Sequence, residues 1–153
     1  NNFKWAVSRG EDRYRRGMYT FFKRTSPHPN LITFDCPDSN VTCVKRNISN
    51  TPIAALATLN NSVFTDAAKA MAKRLIKERN SDTERIAMGF QLCTARKPST
   101  KEVAAFLALL KKAKLYYGEN ETEAKAFNGD AEASAWATLT RIFLNLDEFI
   151  TRE

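Results

Sequence analysis

Ser81-Asp82-Thr83-Glu84 and Ser99-Thr100-Lys101-Glu102 decide how this chain folds. Each has a serine followed three residues later by a glutamate. That is the pattern of a capping box, in which the serine oxygen takes a free N–H of the first helical turn and the glutamate reaches back to the serine N–H. After the first box, Ile86, Phe90 and Cys93 recur at helical spacing. After the second come Val103, Phe106, Leu107, Leu110 and Ala113, on one side of a longer helix. Between them Pro98 ends the first helix, because the residue before a proline is disfavoured in the α region.

The same reading extends in both directions. Thr51 caps and Pro52 opens a helix with Ile53, Leu56 and Leu59. Asn60-Asn61-Ser62 interrupts it, and Asn61 or Ser62 caps the next helix. That helix has an apolar stripe of Phe64, Ala67, Ala68, Met71, Ala72 and Leu75, and a basic face of Lys69, Lys73, Arg74 and Lys77. Downstream, Lys111, Lys112 and Lys114 suit the later turns of the longest helix, and Gly118 is a stop signal. Residues 119–130 are polar and read as a short helix or an irregular stretch. A last helix runs from about Ala131 through Leu146, with Trp136, Leu139, Ile142 and Phe143 apolar.

The first fifty residues read differently. Ser8-Arg9-Gly10-Glu11 caps a helix to about Arg24, with Tyr14, Met18, Phe21 and Phe22 on one side and Phe21 and Phe22 in the core. Pro27, Pro29, Pro37 and Asp38-Ser39-Asn40 then make residues 25–50 a long ordered loop, with a short extended piece at Leu31–Phe34. Loops of that length in a domain are often functional or interfacial. The expected fold is all-α: one domain over residues 1–153, an irregular bundle of about five or six helices with the loop laid across them.

Of the 153 residues 43% are apolar and 27% charged, which suits a globular chain and excludes a disordered one. Five Gly and five Pro argue against a turn-rich all-β design. No apolar run reaches the ~18 residues of a membrane span. The chain starts Asn1-Asn2-Phe3-Lys4-Trp5 and reads as a mature product or the C-terminal fragment of a larger multidomain protein. The net charge of +7 is uneven: residues 1–50 hold nine Lys/Arg against four Asp/Glu, residues 51–153 fifteen against thirteen.

Candidate site residues concentrate where the charge does. Arg15, Arg16, Lys23 and Arg24 interleave with Tyr14, Tyr19, Phe21 and Phe22, a pattern that suits a polyanion or, equally, a solvated basic face. His28, between Pro27 and Pro29, has the chemistry of a general base or a ligand, but Asp35 and Asp38 are its nearest carboxylates, and a loop histidine bonded to backbone is the plainer expectation. Asp35 suits a turn. Lys45 and Arg46 have no acid beside them and can anchor the loop. Cys36 and Cys43 are close enough in sequence to form a disulfide in an oxidising compartment; otherwise they and Cys93 are three small thiols. One histidine and no C-x-x-C leave no metal site and no haem site in the chain. No nucleophile elbow or glycine-rich phosphate loop is present, so no catalytic residue is assigned.

The run from Arg15 through Thr25, then Pro27-His28-Pro29, Thr33-Phe34-Asp35, Val44-Lys45-Arg46, Ser49-Asn50-Thr51-Pro52, Ala55-Leu56 and Leu59-Asn60, resembles a planctomycete-type domain of unknown function. That domain lies at the C-terminal side of planctomycete cytochrome C proteins. The likeness resumes at Trp136, Leu144-Asn145 and Asp147-Glu148-Phe149 and suggests the C-terminal part of the domain. It implies an exported, periplasmic bacterial protein with a c-type haem in a domain absent from this chain, and no cofactor here. It brings no catalytic residue. In that family a plainer residue stands in place of Cys36, with a cysteine very near Cys43, so a Cys36–Cys43 bridge would be a local feature.

The expected function is a non-catalytic structural or interaction module of a cytochrome-associated protein. Its partners would be other domains of the same polypeptide, or an anionic ligand or polysaccharide, met through the Arg15–Arg46 region. A hydrolytic enzyme acting on polysaccharide, with His28 and Asp35 in a site completed by other residues, is the alternative. Polyanion or nucleic-acid binding is a third reading, and the weakest.

Overall fold

Both capping boxes close as the sequence anticipates. In the computed structural model, which describes residues 6, 8–47 and 49–151, Ser81 Oγ accepts from Glu84 N at 3.3 Å and Glu84 Oε2 accepts from Ser81 N at 3.3 Å. Ser99 and Glu102 repeat the exchange, with Glu102 Oε2 accepting from Ser99 N at 2.7 Å. The opening Asn1–Trp5 stretch lies outside the described residues.

The chain is all-helical, and no strand occurs among the described residues. Among the described residues two short 3-10 turns, Gly10–Tyr14 and Gly17–Tyr19, precede eight α-helices. These are α1 (Pro29–Thr33), α2 (Pro52–Asn60), α3 (Ser62–Glu78), α4 (Asp82–Thr94), α5 (Thr100–Glu119), α6 (Glu121–Asn128), α7 (Ala131–Phe143) and α8 (Asp147–Ile150). An irregular helical bundle describes them. They fall into two compact units, Asn1–Ala57 and Thr58–Glu153, with α2 running across the division.

The second unit has a core built around α7. Trp136, Leu139 and Phe143 of α7 are fully buried among Ala72 and Leu75 of α3, Ile86 and Phe90 of α4, and Phe106 and Leu110 of α5. Phe90, Phe106 and Phe143 form a ring cluster with centroids 4.9–6.5 Å apart, two of the pairs edge-on, the arrangement that aromatic quadrupoles favour. Gly89 is required where α4 passes α7 and α3. A Cβ there would lie 2.7 Å from Phe143 Cε2 and 2.9 Å from Leu75 Cδ1. Two buried hydroxyls of α7 are paired across helices: Thr140 Oγ1 donates to Ala68 O of α3 at 2.8 Å, and Ser134 Oγ donates to Ala124 O of α6 at 2.9 Å.

Arg96 ties the end of α4 to the rest of this unit. It bonds Glu102 at 2.7 Å and Glu148 of α8 at 2.5 Å, and its guanidinium lies 4.7 Å from the centroid of the Phe90 ring. Its hydrogen bonds and those from Ser99 hold the Glu102 carboxyl down at about 2. The same guanidinium lowers Glu148.

Four sequence expectations need correction. The single helix to Arg24 is replaced by the two 3-10 turns, with Gly10 at φ +60° between them and the preceding chain. The Leu31–Phe34 stretch is not extended but lies largely in the one-turn helix α1. Gly118 does not stop α5, which continues to Glu119 and ends at Asn120, whose N–H donates to Tyr116 O. Residues 131–146 do not form one helix: Leu144 to Leu146 turn the chain between α7 and α8.

Candidate functional site

The site candidates of the first unit are arranged by short-range hydrogen bonds. His28 caps α1: its Nδ1 accepts from Asn30 N at 3.2 Å, with Pro29 at the first helical position. At the other end Phe34 N donates to Asn30 O and Cys36 N to Leu31 O at 2.8 Å. Asp35 between them takes φ +53°, the left-handed conformation with which helices commonly close and which Asp tolerates better than most residues. Asp35 Oδ2 then accepts from both Ser49 N (2.8 Å) and Ser49 Oγ (2.7 Å). The carboxylate thereby staples Ser49, fourteen residues on, to the end of α1.

Inside that loop Asp38 Oδ1 accepts from Asn40 N at 2.9 Å and Asn40 Nδ2 at 2.7 Å, an Asx turn. Arg24 Nε donates to Asn40 Oδ1 at 2.6 Å. The loop and α1 enclose an open cleft of about 770 Å³, within the usual range of small-molecule sites. Phe22, Leu31, Ile32 and Val41 supply its apolar lining, and Arg24, Lys45 and Arg46 its cations. Asp35, Asp38, Cys36 and Cys43 also line it. Both carboxylates are engaged by neutral donors, and among the described residues no carboxylate pairs with Lys45 or Arg46.

Of the residues singled out in the sequence, Arg24, Asp35, Cys36, Cys43, Lys45 and Arg46 come together around this cleft. Arg15, Arg16, Lys23 and His28 are not among its lining residues. Arg15 pairs with Asp12 at 2.6 Å on an open surface, where such a pair adds little. Phe21, expected in the core, is 65% exposed, as are Tyr14 (59%), Met18 (69%) and Tyr19 (64%). Asn40, which joins Arg24 to the Asx turn, was not singled out. Its signal was the Asp38-Ser39-Asn40 turn motif, which fixes a turn but names no partner sixteen residues away. Cys36 and Cys43 are thiols in this structure.

Among the described residues no group of three His, Cys, Asp or Glu side chains is placed to hold a metal ion, and no helix is long and apolar enough to cross a membrane.

The fold and the cleft define an all-helical protein whose basic first unit carries its candidate binding groups. The model of the PSD1 family, a protein of unknown function (DUF1553), matches residues 1–110. The chain belongs to that family, and the whole cleft lies inside the matched residues. The likeness at Trp136 and Asp147-Glu148-Phe149 lies beyond them. No curated protein and no solved structure matches the chain.

Proposed function

We propose that this chain is a non-catalytic interaction module of an exported, c-type-cytochrome-associated bacterial protein, and that its first unit docks on neighbouring domains of the same polypeptide. One observation carries the reading. The first unit leaves large apolar side chains in solvent beside its cations, Val44 next to Lys45 and Met18 and Tyr19 close to Arg15 and Arg16, whereas the second unit packs its largest rings, Trp136, Phe90, Phe106 and Phe143, into one core. Apolar residues held at a surface among positive charges favour a protein partner, which covers the apolar groups and meets the cations with acids or carbonyls. His28 and Asp35, the pair a hydrolytic site would use, are occupied here in capping α1 and holding Ser49.

The test is the full polypeptide with Arg15, Arg16, Lys45 and Arg46 all changed to Ala. Limited proteolysis between the domains is expected to accelerate while the second unit keeps its unfolding midpoint. Unchanged docking together with unchanged stability would end the proposal. Retained docking with loss of a polyanion-binding titration would favour the anionic-ligand reading instead.

A further inference from the structure

Cys36 and Cys43 stand at equal chain distances from one tight reversal. The Asp38–Asn40 bonds fix a turn at Ser39-Asn40, and Arg24 holds the side chain of Asn40. Cys36 comes three residues before Ser39 and Cys43 three residues after Asn40. A chain that folds back through such a turn brings positions symmetric about it toward each other, and both cysteines line the same cleft.

Their anchoring differs. The Cys36 N–H closes α1 through Leu31 O, and its neighbour Asp35 is held by Ser49, so this half-buried thiol sits on a fixed support. Cys43 is exposed, and its Sγ donates to Lys45 O at 3.3 Å. One thiol is thus exposed to a reagent, and the other is half-buried in the lining of the same cleft. Cys93 is an internal contrast: it lies in α4, in the other unit, and burial pushes its thiol up to about 11, which keeps it protonated and unreactive.

We propose that Cys36 and Cys43 are a dithiol pair that closes to an intramolecular disulfide by exchange with a small disulfide of the glutathione class. The Cys43 thiolate attacks one sulfur of glutathione disulfide. That S–S bond breaks, and the first glutathione leaves, taking up the proton Cys43 gave. The Cys36 thiolate then attacks the Cys43 sulfur. The Cys36–Cys43 bond forms, the mixed disulfide breaks, and the second glutathione leaves with the proton from Cys36. Two protein thiols are oxidised and one glutathione disulfide is reduced to two glutathione molecules. A disulfide requires Cα atoms within about 7 Å, so closure holds Cys43 against the fixed end of α1. Lys45 and Arg46, two and three residues further on, are constrained with it. The oxidation state of the pair thereby sets where the cleft carries its cations. The chemistry stands apart from what the cleft binds, and its readout is separate from any docking assay.

The experiment uses the full chain, reduced, exposed to glutathione disulfide, then denatured and alkylated with iodoacetamide. Trypsin leaves both cysteines in one peptide, Thr25–Lys45. The expected product is that peptide two hydrogens lighter and carrying no alkyl group, with Cys93 alkylated in full. Cys36→Ser should stop the reaction at a glutathione adduct on Cys43, and Cys43→Ser should slow any modification of Cys36. A lasting glutathione adduct on Cys43 of the unsubstituted chain would overturn the proposal. So would a bridge found only between two chains, oxidation of Cys93 at the same rate, or closure equally fast in concentrated urea.

Discussion

The two units spend similar residue types in opposite ways. Residues 58–153 place Trp136, Phe90, Phe106 and Phe143 in a core of interlocking helices. The described part of residues 1–57 has Tyr14, Met18, Tyr19 and Phe21 in solvent, and its 3-10 turns and α1 contain no buried residue. The first unit is ordered instead by polar staples: His28 on Asn30, Asp35 on Ser49, Asp38 and Arg24 on Asn40. A core resists change through volume, whereas a stapled loop resists it through a few directional bonds.

The sharpest way to break this contrast is a pair of equal truncations. Phe143→Ala removes a fully buried ring and should cost about 3–5 kcal/mol in denaturant unfolding. Phe21→Ala, at 65% exposure, should stay within about 0.5 kcal/mol. Equal losses would mean that the first unit has a core after all. A smaller effect is expected from Gly89→Ala. Its new Cβ must push back Phe143 and Leu75, an overpacking penalty of about 1–3 kcal/mol visible as a lowered Tm.

The third expectation concerns acid. Glu102 is held at about 2 in the folded chain against an ordinary value of 4.5, and Glu148 and Glu84 are lowered as well. A lowered carboxyl stabilises the fold above its unfolded value and loses that contribution as pH falls through the folded one. The second unit should therefore weaken between pH 4.5 and about 2, and Arg96→Gln should flatten that slope. An unchanged slope in the variant would remove Arg96 from its place as the link between Glu102 and Glu148.

What the sequence made legible follows the same division. Thr51, Asn61, Ser81 and Ser99 cap the helices they precede, because a cap is a bond between neighbours and needs no distant partner. The stripe of α3 placed Ala68, Ala72 and Leu75 inside, although Ala67 is exposed. In the first unit periodicity misled. Tyr14, Met18, Phe21 and Phe22 have helical spacing, but a helix needs an apolar surface to pack on, and isolated short helices are marginal. Gly10 and Gly17 also break the stretch. Leu31-Ile32-Thr33 looks like a strand by composition, yet Pro29 behind a capping His28 starts a helical turn. Gly118 failed as a stop because Asn120 beyond it terminates α5, its N–H and Nδ2 both donating to Tyr116 O. The grouping of Arg24, Asp35, Lys45 and Arg46 around one cleft was not legible, because Arg24–Asn40 and Asp35–Ser49 join residues sixteen and fourteen apart.

Trp136 has a consequence of a different kind. It is fully buried, its Nε1 has no hydrogen-bond partner, and the Arg85 guanidinium lies 5.7 Å from its ring centroid. An indole so shielded from water emits at short wavelength, and the emission shifts to the red once its helices part. The chain's other tryptophan, Trp5, lies outside the described residues. With Trp5→Phe, Trp136 is the tryptophan that remains, and the colour of its emission becomes an optical gauge of the second unit through denaturation, without a label.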